Sequence, residues 1–235
     1  MIKIPSIEEM LKAGMHFGHR TSKWHPEMEP FIFASRNGVH IIDLRKSHKL
    51  LESALDFIKK FAAEGKIILF VGTKMQAKIP LKKIAKEAGM PYINEKWMGG
   101  CLTNFSVIKK LIKKYKDLLE NKQSGKLSKY TKKERLEIDR EIEKLEFKVG
   151  GLVNLNRLPD AIFIWDIKQE RIALVEAKKK NIPIIAVCDT NSNPTGINYV
   201  VPANDDATKT IKLILNLVKE AVLEGKAGEG ASANK

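Results

Sequence analysis

Basic, aromatic and amide side chains are concentrated in two stretches of this sequence, one near the N-terminus and one around a Gly-Gly pair. Guanidinium and ammonium groups neutralise phosphates, while flat rings and amides contact sugars and unpaired bases. This mixture favours a contact with folded RNA, and one further lysine follows a buried strand. The residues predicted to contact RNA are Arg20, Lys23, Trp24, His25, Arg36, Asn37, His40, Lys74, Lys96, Trp97, Asn104, Lys109, Lys110 and Lys113.

The charge balance of the whole chain points to the same kind of partner. Lys and Arg outnumber Asp and Glu by 42 to 28, which gives a net charge of +14. Such a bias favours a polyanion, with nucleic acid as the first candidate and an anionic membrane surface as the second. The alternative is a solvated basic surface with Trp24 and Trp97 in the core, and it stays open at this point.

The residues that could do catalysis or bind metal do not form a recognisable motif. His16 and His19 make an HxxH pair without the Glu of HExxH, and Cys101 and Cys188 are far apart, so we predict no metal ligand and reduced thiols. Three acids lie at the ends of predicted strands, but histidines occur only in the first 48 residues and no nucleophile with a base is recognisable. We predict no catalytic residue, no cofactor, and loop or cap roles for Asp160, Asp166 and Asp189.

A turn that could hold a phosphate follows the strand that we place at the centre of the fold. Residues 67–71 are an uninterrupted apolar run between two glycines, which indicates a strand buried on both faces. Gly72, Thr73 and Lys74 then lead into a helical pattern, where a phosphate could meet a helix N-terminus. The GxxxxGKS/T and GxGxxG spacings are missing, so a plain tight turn is favoured. A phosphate-binding or nucleotide-binding enzyme is the alternative.

The order of the predicted elements defines an α/β protein. Apolar strands alternate with helices, which predicts a flavodoxin-like or Rossmann-like parallel sheet of about five strands with helices on both faces. A Ser6-capped helix and a strand hairpin turning at Arg36-Asn37-Gly38 precede this sheet. No apolar segment approaches the ~18–20 residues that span a bilayer, and the N-terminus lacks a signal-peptide layout, so we expect a cytosolic protein.

An insertion interrupts the predicted sheet. Its apolar residues recur in steps of three and four at Ile108, Leu111, Tyr115, Leu118, Ile138, Ile142, Leu145 and Val149. This spacing predicts an antiparallel coiled-coil helical hairpin over residues 103–149, with a lysine-rich first arm that projects from the globular body. Residues 1–102 and 150–225 would form the α/β domain, and residues 226–235 a disordered tail.

Several motifs, in order, carry a resemblance to a known family. They are GMHFGHRTSKWHPEMEPFIFASRNGVHIIDL, ILFVGTK, YINEKWMGGCLTNF, RLPDAIFIWD, IPIIAVCDTNSNP and NYVVPANDDA. Together they closely resemble the bacterial small-subunit ribosomal protein two family over residues 5–225. The tail is shorter than in many members and lacks the long acidic extension that some carry.

The resemblance implies a non-enzymatic constituent of the small ribosomal subunit in the cytoplasm. It implies a flavodoxin-like domain with a coiled-coil hairpin, bound to small-subunit ribosomal RNA between head and body. It also implies contacts with other small-subunit proteins and a part in docking ribosomal protein one, a large mRNA-binding protein. We expect no membrane association and no stable homo-oligomer.

Fold by itself does not assign activity. The sequence is therefore compatible with three functional hypotheses. They are a structural RNA-binding subunit, a phosphate-ligand enzyme that uses the turn at residues 72–74, and a protein-docking module whose contact is the helical hairpin.

Overall fold

A computed structural model describes residues 3–232, and for residues 128, 129 and 229–232 it describes the backbone alone. The helices are α1 (Ile7–Lys12), α2 (Leu44–Ala63), α3 (Met75–Glu87), α4 (Phe105–Gln123), α5 (Lys132–Val149), α6 (Arg171–Lys179) and α7 (Thr208–Ser232). The strands are β1 (Phe17–Arg20), β2 (Ile32–Arg36), β3 (Val39–Ile42), β4 (Ile68–Val71), β5 (Tyr92–Ile93), β6 (Ala161–Trp165), β7 (Ile184–Cys188) and β8 (Tyr199–Pro202). Within these residues, no helix combines the length and apolar character needed to cross a membrane.

The main sheet has five parallel strands in the order β5-β4-β6-β7-β8. Counted from β4, this order is 2-1-3-4-5, the flavodoxin-like arrangement. The predicted α/β fold is therefore confirmed. The prediction that β4 is the central strand is wrong, because β6 occupies the middle of the sheet and β4 lies beside the edge strand β5. Every residue of β4, β6 and β7 is buried, so the apolar run alone could not rank them.

Alternate residues of the strands pack into two different apolar layers. Phe70 and Phe163 belong to a layer with α2, α3 and α7. Leu69 and Val71 belong to the opposite layer, with α6 and the inner parts of α4 and α5. The period of two along each strand separates the layers and explains why helices cover both faces. Both cysteines are free and buried.

The predicted two-helix insertion corresponds to α4 and α5, which pack against each other. The return arm begins at Thr131, whose hydroxyl accepts the Glu134 N–H while the Glu134 carboxylate accepts the Thr131 N–H. Gly125 takes a positive φ of 71° in the turn between the arms. Ile112 and Val149 join the buried layer on the sheet, so the inner part of the hairpin rests on the sheet. The division into an α/β domain and an inserted hairpin stays a prediction.

The C-terminal tail differs from the sequence prediction. Helix α7 continues through Ser232, so residues 226–232 are helical although their small polar composition predicted disorder. The Nζ of Lys226 donates a hydrogen bond of 2.8 Å to the carbonyl of Ala88, which ties this stretch to the end of α3. This contact joins residues 138 positions apart, so the composition of the tail could not reveal it. Residues 233–235 of the predicted tail lie outside the described residues.

A small antiparallel sheet precedes the main one in the chain, with its strands in the order β1-β3-β2. Asn37 and Gly38 have positive φ values of 51° and 73°, as a two-residue hairpin turn requires. The hairpin predicted from the Asn-Gly pair is confirmed. Strand β1 was not predicted, because its four residues (FGHR) lack a clear alternation of apolar and polar side chains.

Gly151 should be the least replaceable glycine at the root of the hairpin. A Cβ added there would lie 2.1 Å from the carbonyl oxygen of Tyr92, whereas one added at Gly99 meets nothing within 4 Å. We expect Gly151→Ala to lower the free energy of unfolding by about 3 kcal/mol, because a backbone clash in the core forces strain. Gly99→Ala, the matched control, should change it by less than ~0.5 kcal/mol. Urea unfolding measures both, and equal values would contradict the prediction.

Candidate nucleic-acid interface

The arginines of the N-terminal segment come together at one end of the small sheet. Arg20 and Arg36 both pair with Val39, so they flank the same position of β3 from its two sides. Asn37 lies next to them in the turn, and all three polar side chains are exposed. The sequence predicted these residues individually, and the antiparallel register is what places them at a common edge.

The other N-terminal candidates lie on the same small sheet and the turns beside it. Lys23 is exposed, and Trp24 is 37% exposed with its ring 5.2 Å from that of His40. Both ring nitrogens of His40 are buried, with no hydrogen-bond partner among the residues that the structure describes. His25 is half-buried and its Nδ1 accepts the Glu27 N–H at 3.2 Å. The ring nitrogens of these two histidines are therefore poorly placed to contact RNA, and the rings pack within the surface instead.

The second group of candidates follows the start of α4. Lys109, Lys110 and Lys113 are exposed on this helix, and the ammonium of Lys109 lies 5.9 Å above the ring of Phe105. Lys96 and Asn104 are exposed in the loop that leads into the helix. The arrangement is a row of cations at the root of the hairpin, which suits neutralisation of a phosphate backbone.

The structure corrects the prediction for Trp97. Its side chain is 7% exposed, and its Nε1 donates a hydrogen bond of 3.1 Å to the buried carboxylate of Glu176 on α6. A ring held in the core cannot stack on a base, so the alternative of a core tryptophan is correct here. Glu176 was missed by sequence reasoning, because its donors are 73 to 79 residues away in the chain.

Lys74 is also removed from the set of displayed cations. Its Nζ lies 2.7 Å from Asp205 Oδ1, 2.7 Å from Asp206 Oδ1 and 3.4 Å from Asp166 Oδ2, and its side chain is 13% exposed. Burial lowers the pKa of Lys74, but the hydrogen bonds and charges of the aspartates raise it above its usual value overall. The ammonium therefore forms ion pairs with carboxylates at the end of the sheet.

His19 completes a polar cluster around this lysine. Its Nδ1 lies 3.1 Å from Asp189 Oδ2 and its Nε2 lies 3.6 Å from Asp206 Oδ2, and the bond to Asp189 raises the pKa of His19. His19, Asp205 and Asp206 offer ligand atoms within 4.8 Å of one another, and Asp205 Oδ2 is buried with no hydrogen-bond partner in the described part of the chain. Imidazole and carboxylate donors of this kind can hold a divalent cation. The sequence predicts no metal ligand because its HxxH pair lacks the Glu of HExxH, and no spacing joins His19 to Asp205 and Asp206.

The three acids given loop and cap roles do accept backbone N–H groups. Asp160 accepts from Ile67 at 2.7 Å and Asp189 from Thr190 at 2.5 Å. Asp166 accepts from Lys168 at 3.0 Å. The predicted roles are confirmed, and Asp166 and Asp189 contribute in addition to the cluster around Lys74.

The turn after β4 is already filled by a carboxylate of the chain itself. Glu170 Oε1 accepts hydrogen bonds of 2.8 Å from the Thr73 N–H and 2.6 Å from its hydroxyl, and burial raises the pKa of Glu170. This is the switch point of the sheet, where ligands of flavodoxin-like folds bind. A Cβ at Gly72 would meet Leu81 at 2.8 Å and Trp165 at 3.0 Å, so close packing explains this glycine. The donors of Thr73 are therefore already used by a carboxylate of the chain itself.

The environment of Glu176 predicts that the free energy of unfolding depends on pH in acid. Burial raises its pKa, but hydrogen bonds from Thr103, Trp97, Leu102 and Gly100 lower it more, to below its usual 4.5. The stabilisation is therefore complete above pH 4.5 and is lost as the pH falls through the lower folded value. We expect Glu176→Gln to cost about 3 kcal/mol of unfolding free energy near neutral pH, because buried donors lose their acceptor. The gap should shrink in acid.

Urea unfolding of both proteins over a pH series measures this gap. The control is Glu220→Gln, which removes the same charge from an exposed position on α7. A gap between wild type and Glu176→Gln that stays constant below pH 4.5 would contradict the linkage.

Comparison with known proteins agrees with the motifs. The family described as Ribosomal protein S2 matches residues 10–225. The small ribosomal subunit protein uS2 of Coprothermobacter proteolyticus is 47% identical over 225 residues, which cover 96% of this chain and 84% of that relative. The protein of the same name from Flavobacterium johnsoniae is 51% identical over 225 residues, which cover 96% and 89% of the two chains. The chain therefore belongs to the ribosomal protein S2 family of the small ribosomal subunit.

Proposed function

We propose that this structural ribosomal protein binds small-subunit ribosomal RNA through two cationic surfaces. One is the arginine edge of the small sheet, at Arg20, Arg36 and Asn37. The other is the root of the hairpin, with the exposed lysines 109, 110 and 113 on α4. The observation that carries the proposal is that these cations are displayed to solvent in a chain of net charge +14, whereas Lys74 is tied to aspartates.

The alternative of a phosphate-ligand enzyme has less support. The Thr73 N–H and hydroxyl at the switch point are bonded to Glu170, and the neighbouring lysine is neutralised by carboxylates. Family membership favours a structural role in translation, in the cytoplasm for bacterial members. A parallel sheet of this type serves many functions, so the site has more weight than the fold.

Binding to ribosomal RNA at increasing salt tests the proposal. Each phosphate that the protein neutralises releases counterions, so the logarithm of the affinity should fall linearly with the logarithm of salt. For about six contacts the slope would be about −5. Binding that is absent, or that does not depend on salt, would overturn the proposal. Failure to sediment with small-subunit particles would do the same.

We further propose that the small sheet helps to dock ribosomal protein one. Phe17 and Phe33 are 50% and 64% exposed there, and the guanidinium of Arg45 lies 5.7 Å from the Phe33 ring. Exposed aromatic rings beside an arginine are typical of protein interfaces. This location differs from the hairpin contact that the sequence suggested for a docking module.

Phe33→Asp should therefore weaken retention of ribosomal protein one on small subunits by about tenfold or more, as expected for loss of a hot-spot aromatic. The control is Phe147→Asp, at a ring that is 52% exposed on α5. Quantitative co-sedimentation measures both variants. If the α5 variant alone releases the partner, the hairpin rather than the small sheet is the docking surface.

A further inference from the structure

The loop between β5 and α4 is held by one buried carboxylate. Glu176 of α6 is 5% exposed. Its Oε1 accepts the Trp97 Nε1–H at 3.1 Å and the Gly100 N–H at 2.7 Å. Its Oε2 accepts the Leu102 N–H at 2.9 Å, the Thr103 N–H at 2.9 Å and the Thr103 hydroxyl at 3.0 Å. Five donors from seven consecutive residues thus converge on one side chain.

The loop has little regular structure of its own to define this shape. Residues 94–104 contain no helix or strand, and Gly100 takes a positive φ of 87°, which lets neighbouring N–H groups point to one side. Backbone donors arranged around a concavity make an anion-binding nest. Here the anion is supplied by α6, so the loop conformation depends on a tertiary contact.

This loop leads directly into the proposed RNA-binding surface. Lys96 precedes Trp97, and Asn104, the residue before α4, donates its N–H to the Gly100 carbonyl at 2.8 Å. Asn104 provides no side-chain cap for the helix. The position of Lys96 and of the first turn of α4 therefore depends on the part of the loop that Glu176 holds.

We propose that Glu176 is a positioning residue for RNA binding, which fixes the loop so that Lys96 and the start of α4 face the phosphate backbone together. The inference rests on the proposed RNA-binding function. Glu176 itself is buried and carries the wrong charge to touch RNA. Its effect reaches RNA through Trp97, Gly100, Leu102 and Thr103.

The charge change and the loss of positioning should alter RNA affinity in opposite directions, so the test distinguishes them. Glu176→Gln keeps the shape of the side chain but presents an amide NH2 to N–H donors, so part of the nest loses its acceptor. The substitution also makes the protein more positive, which by general electrostatics would tighten RNA binding. Glu220→Gln makes the same charge change at an exposed site on α7. Weaker binding by folded Glu176→Gln protein alone therefore indicates lost positioning.

Three measurements on the full chain decide the matter. Hydrogen exchange at Gly100, Leu102 and Thr103 should become at least ~tenfold faster in Glu176→Gln, while β4 remains much slower to exchange than this loop. Affinity for small-subunit ribosomal RNA should fall about tenfold at ~0.1 M salt, with a salt slope shallower by about one, as expected for one lost phosphate contact. Glu220→Gln should bind as tightly as wild type or slightly more tightly.

The outcomes separate the inference from the proposed function. A Glu176→Gln protein with a fast-exchanging loop and unchanged RNA affinity overturns the inference and leaves the function standing. Wild-type protein that does not bind ribosomal RNA overturns both. If Glu176→Gln does not fold, Thr103→Val removes one donor from the nest and should show the same changes at a smaller size. Unchanged affinity and slope in that variant overturn the inference.

Discussion

Replacing Lys109, Lys110 and Lys113 together by Gln should weaken binding to small-subunit ribosomal RNA by about 10³-fold at ~0.1 M salt. These lysines are exposed on α4, so their loss should leave the packing of the helix intact. Each phosphate contact contributes ~0.9 to the slope of log affinity against log salt, which amounts to about one decade at this concentration. The slope should become shallower by about three.

The control for this variant carries the same charge change elsewhere. Lys49 and Lys60 on α2 and Lys212 on α7 are exposed as well, and replacing all three by Gln lowers the net charge equally. We expect this control to lose less than ~tenfold in affinity, because long-range attraction is screened within ~10 Å at 0.1 M salt. Filter binding over a salt series measures both proteins. Equal losses would show that net charge, and not the α4 surface, accounts for binding.

Lys74→Met should produce the largest loss of stability among the charged residues discussed above. The ammonium contacts Asp205, Asp206 and Asp166, and its removal leaves these carboxylates facing one another. Breaking a buried ion pair by removing one partner costs about 3–5 kcal/mol. We expect a loss of this size in urea unfolding. RNA affinity at temperatures where the variant is folded should be unchanged, because Lys74 is not displayed.

A second substitution tests the cause. Asp205→Asn removes the most buried of the carboxylates, so the double variant with Lys74→Met should recover at least ~1 kcal/mol relative to additivity. Lys12→Met is the surface control, since Lys12 pairs with Glu8 at side-chain exposures of 71% and 76%. Its effect should stay below ~0.5 kcal/mol. Strict additivity in the double variant would show that the loss has another origin.

Much of the fold could be predicted because it depends on local patterns. The apolar run of β4, the Asn37-Gly38 turn and the heptad-like steps of α4 and α5 each specify an element within a few residues. The order of the strands in the sheet could not be predicted from such local patterns. Strands β4, β6 and β7 are all apolar on both faces, and their rank in the sheet follows from pairing between distant segments.

The candidate site was predicted less completely, for a related reason. Trp97 and Lys74 were predicted to contact RNA from their residue types, because tryptophan stacks on bases and lysine neutralises phosphates. Long-range partners remove both from the surface, since Glu176 holds the indole and aspartates beyond β8 hold the ammonium. Arg20 and Arg36 illustrate the opposite case, in which register brings two separately predicted side chains to one edge.

By itself, then, the sequence determined the net charge of the chain and the kinds of elements. Composition sets the net charge of +14, and periodicity sets which segments are helices or strands, because both properties are local. Tertiary structure alone decided which cations are displayed and which are neutralised. That choice depends on hydrogen bonds and ion pairs between distant residues, such as Lys74 and Asp205, which are 131 positions apart, and no local pattern encodes them.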